Sequence, residues 1–264
     1  MMVKHTCTNF LKKMKTLNLA LIMVLISLTC FSQIKKVLIV ATNIDSVGTH
    51  KSGTYLMEIA YPFQYFIDKG FEVDILTPKG GKTSLYDNGK VAEDLAKIQK
   101  NELFIKKTNN SLSPVEVKWA DYSAVFYPGG HGQYFDVMYD ERIALITSKI
   151  YEKGGIVGTA GHGIASLVNV QLSNCQYLVQ NKRITCFPHW AELRFMNISN
   201  YGKLLPFDME VVLARRGANL IVCTPENRPD KNYTHIVDAT NRIVTGAFAV
   251  SAQWVAEEVV KLIK

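Results

Sequence analysis

Short, wholly apolar runs alternate with longer amphipathic segments from residue 35 onward, and most of the amphipathic segments stop at a glycine. "KKVLIVAT" (35–42) is continuous and β-branched, as expected of a strand buried on both faces. "YLMEIAYPFQYFIDKG" (55–70) has apolar side chains near helical spacing and ends in Lys-Gly, a helix stop. "FEVDILT" (71–77) reads as a second strand, cut off by Pro78 and the Gly80-Gly81 pair. The pattern recurs in "SAVFYPGGHG" (123–132), the helical "VMYDERIALITSKIYEKGG" (137–155) and "GIVGTAGHGIASLV" (155–168). It continues with strands in "RITCF", "LIVCT", "THIVD" and "RIVTG", a helix over 205–218 and a closing helix over 251–263. Such alternation predicts an α/β fold with an open, doubly wound, mostly parallel sheet and helices on both faces.

The first 32 residues stand apart from this pattern. Lys4, Lys12, Lys13 and Lys15 precede an apolar run from Leu17 to Leu28, the layout of a signal peptide. Cleavage is expected near Ser32, which implies a secreted or periplasmic protein. The alternative is a lipid- or membrane-anchored N-terminus. A permanent span is disfavoured because the run is shorter than the roughly 20 residues a transmembrane helix needs. Four lysines and no acid leave with the leader, so the formal charge falls from +7 to +3. The basic character is thus partly a targeting signal, and no nucleic-acid partner is expected. Residues 33–264 carry no linker rich in Pro, Gly or Ser, so they are read as a single domain. The polar stretch 84–118 is read as an insertion packed on its edge.

Beyond the leader only Cys175, Cys186 and Cys223 remain, an odd number without CxxC spacing. Neither a disulfide framework nor a zinc knuckle follows from that. Cys186 and Cys223 sit in apolar strands and are read as small buried residues.

In an open parallel sheet the functional crevice lies beyond the carboxyl ends of the strands. Three features fall there: "PGGHG" (128–132), "TAGHG" (159–163) and "PHWAE" (188–192). A sharp strand-to-helix turn among small residues is the geometry of a nucleophile elbow, with helix N–H groups behind it to stabilise an anion. Yet the apex of "TAGHG" is Gly161, which has no side chain.

The chain from about Lys35 to its end resembles the ThiJ/PfpI superfamily, the class I glutamine amidotransferase-like fold. Within it the chain is similar to the branch of heat-shock chaperones and glyoxalase III proteins. The resemblance is carried by "SGTYLMEIAYPFQYFIDKGFEVDILTPKGG", "DYSAVFYPGGHGQYFD", "GGIVGTAGHGIASLVNV" and "KRITCFPHWAE", in that order. It implies a flavodoxin-like sheet and, by analogy, a homodimer. In the family the elbow reads Cys-His-Gly-Pro-Ala, where this chain has Gly161, His162, Gly163, Ile164 and Ala165. The resemblance places the family's buried acid at Glu58 and its histidine-orienting acid at Glu192. It places the oxyanion donors at the backbone N–H groups of Gly130 and His162. "TGAFAVSA" (245–252), near the expected pocket mouth, lacks the family's Asn-Pro.

Without the thiol, the family's attack on a carbonyl has no attacking atom. Thr159 precedes the turn, Ser166 follows it by about a helical turn, and Cys186 belongs to a neighbouring strand, so none is expected to replace it. The expected function is therefore a ThiJ/PfpI-family pseudoenzyme that binds a small carbonyl or carboxylate ligand, or a holdase-like stress protein. The alternative is an active non-covalent lyase or hydratase, or a metal-assisted hydrolase, using Glu58, His162 and Glu192. A third reading is a purely structural interaction protein, insensitive to changes in the pocket.

No cofactor is expected. His50, His131, His162 and His189 all fall in segments that the family fold directs toward the pocket, so imidazole ligation is conceivable, with His50, His131 and His189 as weak metal candidates. The spacing matches no metal motif, and the favoured expectation is that His131 and His162 are held by hydrogen bonds to backbone or acid. Glu58 lies among Leu56, Ile59, Ala60 and Phe63, so it is expected to be buried, with a raised pKa.

Overall fold

A six-stranded sheet forms the centre of the molecule: β1 (Lys36–Val40), β2 (Glu72–Leu76), β3 (Tyr122–Tyr127), β4 (Ile156–Ala160), β5 (His235–Asp238) and β6 (Ile243–Gly246), in the order β5-β6-β4-β3-β1-β2. The computed structural model describes residues 35–89, 91–198 and 203–263, the side chains of 195–198 excepted. The expected leader lies outside them. The described residues all belong to one compact unit, Lys35–Lys264. No described helix is long and apolar enough to cross a membrane.

All neighbouring strands pair in parallel except β5 and β6, which pair antiparallel with Val237 opposite Val244. The continuous apolar runs follow from two-sided burial. Leu38, Val40, Val125, Tyr127 and Val157 face one core, shared with Ile143, Ile146 and Ile150 of helix Glu141–Glu152. Val37, Ile39, Ala124 and Phe126 face the other, where Ile59, Phe63 and Phe66 of α1 (Leu56–Asp68) meet Val255 and Val259 of helix Ala252–Leu262. Gly158 lets that last helix sit close to the sheet, since a Cβ there would lie 2.8 Å from Val259 Cγ2.

The stretch 84–118 runs along the β2 edge. Leu85–Tyr86 pairs in parallel with Thr54–Tyr55, and two short helices, Glu93–Gln99 and Glu102–Asn109, lead to Leu112, whose backbone bonds to Ile75 and Thr77. This covers backbone groups that an edge strand would otherwise expose.

Four elements differ from the sequence expectation. "RITCF" and "LIVCT" reduce to a two-residue parallel pair, Arg183–Ile184 with Asn219–Leu220. The ladder stops because the backbone N–H of Thr185 donates to Thr245 Oγ1, while the Thr185 hydroxyl bonds the Ile221 and Tyr233 carbonyls. The helix expected over 205–218 spans only Met209–Arg215, bounded by its N-cap Asp208 and by Gly217 at φ +81°. After β4 the chain enters a 3₁₀ helix, Gly161–Leu167, every residue of it buried, rather than an α-helix. The dipole expected of an α-helix behind the turn is therefore replaced by that of one tight, short coil.

Candidate active site at the β4 turn

The turn that ends β4 places Gly161 at φ +49°, a left-handed conformation that disfavours side chains. A Cβ at this position would point at the carboxyl of Glu58, lying 3.2 Å from its Cδ and inside contact distance of Oε1. Glu58 reaches the turn from the first turn of α1 and is 2% exposed. A second glycine makes room on its other side, because a Cβ at Gly129 would lie 2.7 Å from Oε1. The Gly129 backbone N–H donates to the carboxylate, yet Oε1 has no hydrogen-bond partner among the described residues.

Burial pushes the Glu58 carboxyl up to about 7, against the opposing pull of the His162 charge and the Gly129 N–H. Near neutral pH it therefore divides between acid and carboxylate. The raised pKa expected from its apolar neighbours is present, and the cause is desolvation.

His162, next to the glycine, is 8% exposed, and its Nε2 lies 2.6 Å from Glu192 Oε2. His131 opens a 3₁₀ turn after β3 and sets its Nε2 3.2 Å from the other carboxylate oxygen, Oε1. The two imidazoles lie 4.3 Å apart, centroid to centroid. For His162, burial pulls the pKa down, but the charge and hydrogen bond of Glu192 outweigh it and raise the imidazole. For His131, burial and the neighbouring His162 charge win, bringing it down to about 4. Glu192 pays for its own burial, yet the two histidines hold it well below the usual carboxylate range. Glu192 is thus a carboxylate between two imidazoles shifted in opposite directions, His162 upward and His131 downward.

Gly161, His162, His131, Glu58 and Gly130 line one cavity of about 610 Å³. Gly130 adopts φ +110°, and a Cβ there would lie 2.7 Å from the Tyr55 nitrogen, so only glycine lets the chain pass so close to 53–55. No cysteine lines this cavity among the described residues. Cys186 is 3% exposed, with burial pushing its thiol well up, Cys223 is buried too, and Cys175 is exposed elsewhere. Ser166 donates to Gln133 Oε1, and Thr159 is buried within β4. No relocated nucleophile stands at the turn.

Of the histidines expected at the pocket, His50, His131 and His162 line it and His189 does not. His189 Nδ1 pairs instead with Asp208 Oδ2 at 2.7 Å and faces a separate cavity of about 190 Å³. Among the described residues, ligand atoms of His131, His162 and Glu192 all lie within 4.8 Å of one another, while His50 and His189 stand outside this group. Both histidines already bond Glu192, so an ion would have to take both imidazole nitrogens from it.

Sequence reasoning missed Phe187, Phe248 and Arg228 as cavity residues. The His162 ring stacks on Phe187 at 4.2 Å, Phe187 meets Phe248 edge to face at 5.7 Å, and the Arg228 guanidinium lies over Phe248 at 5.0 Å. The first two flank motifs that the sequence singles out. Arg228, in "ENRPD", carries no local signal.

A doubly wound α/β sheet with its site on a strand-to-helix turn beyond the carboxyl end of β4 defines the flavodoxin-like class to which glutamine amidotransferase-like proteins belong. The model of the DJ-1/PfpI family matches residues 49–216, and the chain belongs to that family. It is 30% identical over 220 residues to "Glyoxalase 3" of Candida albicans, covering 80% of this chain and 89% of that protein. It is 32% identical over 169 residues to "Glutathione-independent glyoxalase HSP31" of Saccharomyces cerevisiae, covering 60% and 70%. Among solved structures, glyoxalase III from Candida albicans superposes with a TM-score of 0.75 at 27% identity, covering 88% of this chain and 98% of that one. Rapid Encystment Protein 24 kDa of Francisella tularensis gives 0.75 at 27%, covering 88% and 100%.

Proposed function

We propose that this chain keeps the glyoxalase III-like pocket of its family as a binding site for a small carbonyl or carboxylate ligand, without cysteine-dependent chemistry. The observation that carries this reading is the position of Glu58 against Gly161: the family resemblance puts a cysteine at 161, and in this chain a carboxyl fills the space in front of a glycine. Thiolate attack on a carbonyl needs a sulfur within hydrogen-bond reach of its base, and the three cysteines after the leader are either buried in the core or exposed away from the cavity. The ligand-binding groups persist, namely Glu58, His162 held by Glu192, and the backbone of Gly130. The expected outcome is that the protein does not turn over methylglyoxal. Measurable thiol-independent conversion by the unmodified protein would overturn the reading, and Gly161→Cys serves as the comparison.

One observation favours a second reading, a non-covalent lyase or hydratase. Glu58 titrates at about 7 with Oε1 unpartnered, the protonation balance suited to an acid–base group at neutral pH. Product formation from a hydratable carbonyl that disappears in Glu58→Gln, while ligand binding persists, would establish it.

The basic and apolar leader supports placing this function outside the cytoplasm. The intact mass of the protein recovered from its source host tests that placement: loss of about the first 32 residues is expected.

A further inference from the structure

The far end of the cavity carries charge that the proposed function does not use. Its buried members, Glu58 and His162, form the floor, while the exposed Lys51 and Arg228 stand at the mouth. Neither cation forms an ion pair with a described carboxylate. Glu58 is the sole acid on the cavity wall among the described residues, and burial holds it largely neutral below pH 7. The cavity's unbalanced charge is therefore that of Lys51 and Arg228, since at the buried end His162 is paired with the Glu192 carboxylate.

Between those ends lies an aromatic wall. From the His162 ring the surface passes over Phe187 and Phe248 to the Arg228 guanidinium, which rests on the Phe248 face. A guanidinium seated on an aromatic face keeps its N–H fork free for a carboxylate and loses little freedom when it binds one. A ligand lying along this wall from His162 to Arg228 crosses two rings, which suits an extended body.

We infer that the cavity takes an elongated oxo-carboxylate, with its carbonyl oxygen at Glu58 and His162, its apolar or aromatic body on Phe187 and Phe248, and its carboxylate on Arg228. This rests on the reading of the pocket as a carbonyl-binding site and adds the second, anionic end of the ligand. Arg228 is the specificity-determining residue.

The test is calorimetric titration of the purified protein with 4-acetylbenzoate and with its neutral methyl ester, which share the ketone and the ring. The acid is expected to bind about tenfold more tightly at low salt, the scale of one charge-assisted pair, with the preference shrinking as salt is raised. Arg228→Gln is expected to bring the two affinities within about threefold, with the larger loss on the acid. An ester that binds as well as the acid, a preference that survives Arg228→Gln, or binding of neither compound overturns the inference. The readout is binding rather than turnover, so it fails separately from the functional reading. Ester binding without acid preference leaves the carbonyl pocket standing, and methylglyoxal turnover by the unmodified protein removes that reading whatever the titration gives.

Discussion

Glu58 and Gly161 share one volume: the carboxyl from α1 lies where a side chain at the end of β4 would project. Any residue introduced at 161 therefore meets two costs, a left-handed backbone at φ +49° and a collision with a buried carboxyl. Gly161→Ala is expected to lower unfolding free energy by about 2–4 kcal/mol, combining dihedral strain with overpacking. In a Glu58→Ala background the same change should cost at least ~1 kcal/mol less, since only the dihedral strain remains. Urea denaturation of the four proteins gives the coupling, and strictly additive effects would show that the two residues do not compete for space.

The pairing of Glu192 with His162 predicts a titration shift. The carboxylate outweighs burial and raises the imidazole above its ordinary value of 6.5. Stability from this pair is thus fully present below 6.5 on the histidine side and lost as pH rises through the higher folded value. In Glu192→Gln only the smaller pull of Glu58 opposes burial, so the titration of the His162 imidazole should move down when followed by NMR. Because one partner of a buried pair is removed, unfolding should become easier by about 3–5 kcal/mol at neutral pH. An unchanged titration of His162 would mean that Glu192 does not set its charge.

Cysteine burial predicts selective labelling. Cys175 is exposed, whereas Cys186 and Cys223 are buried and burial raises both thiols. Brief alkylation of the native protein, followed by peptide mass mapping, should modify Cys175 and spare the other two until denaturant is added. Native labelling of Cys186 would reopen the search for a thiol at the site.

Periodicity made the sheet legible, because β1, β3 and β4 are buried on both faces and show it as short runs with few polar residues. The pairing of "RITCF" was not legible to its full length, since Thr185 diverts its hydrogen bonds to side chains and loop carbonyls, a tertiary choice that local sequence does not record. At the site, Glu58 could be read from its apolar helix face, and Glu192 and His162 from the family resemblance. His189 looked equivalent to them, but its ring is claimed by Asp208 on the other side of the Phe187 wall. Arg228 was invisible because an arginine in a polar loop gains meaning only from the Phe248 ring beneath it.

The raised pKa of Glu58 makes stability fall with pH. The unfolded carboxyl ionises near its ordinary value of 4.5, whereas the folded one holds its proton up to about 7. Below 4.5 both states are protonated and the stabilising difference is fully present. Between 4.5 and 7 the unfolded state alone releases its proton, so unfolding becomes progressively easier, by about 3 kcal/mol in all for a shift of this size. Glu58→Gln removes the titrating group and keeps the shape. Its stability relative to the unmodified protein should therefore rise across the same interval and level off above it. Denaturation at pH 4.5, 5.5, 6.5 and 7.5 measures this difference directly. A difference that stays flat would mean that Glu58 ionises in the fold as readily as in water, leaving no neutral carboxyl to meet a ligand's carbonyl oxygen.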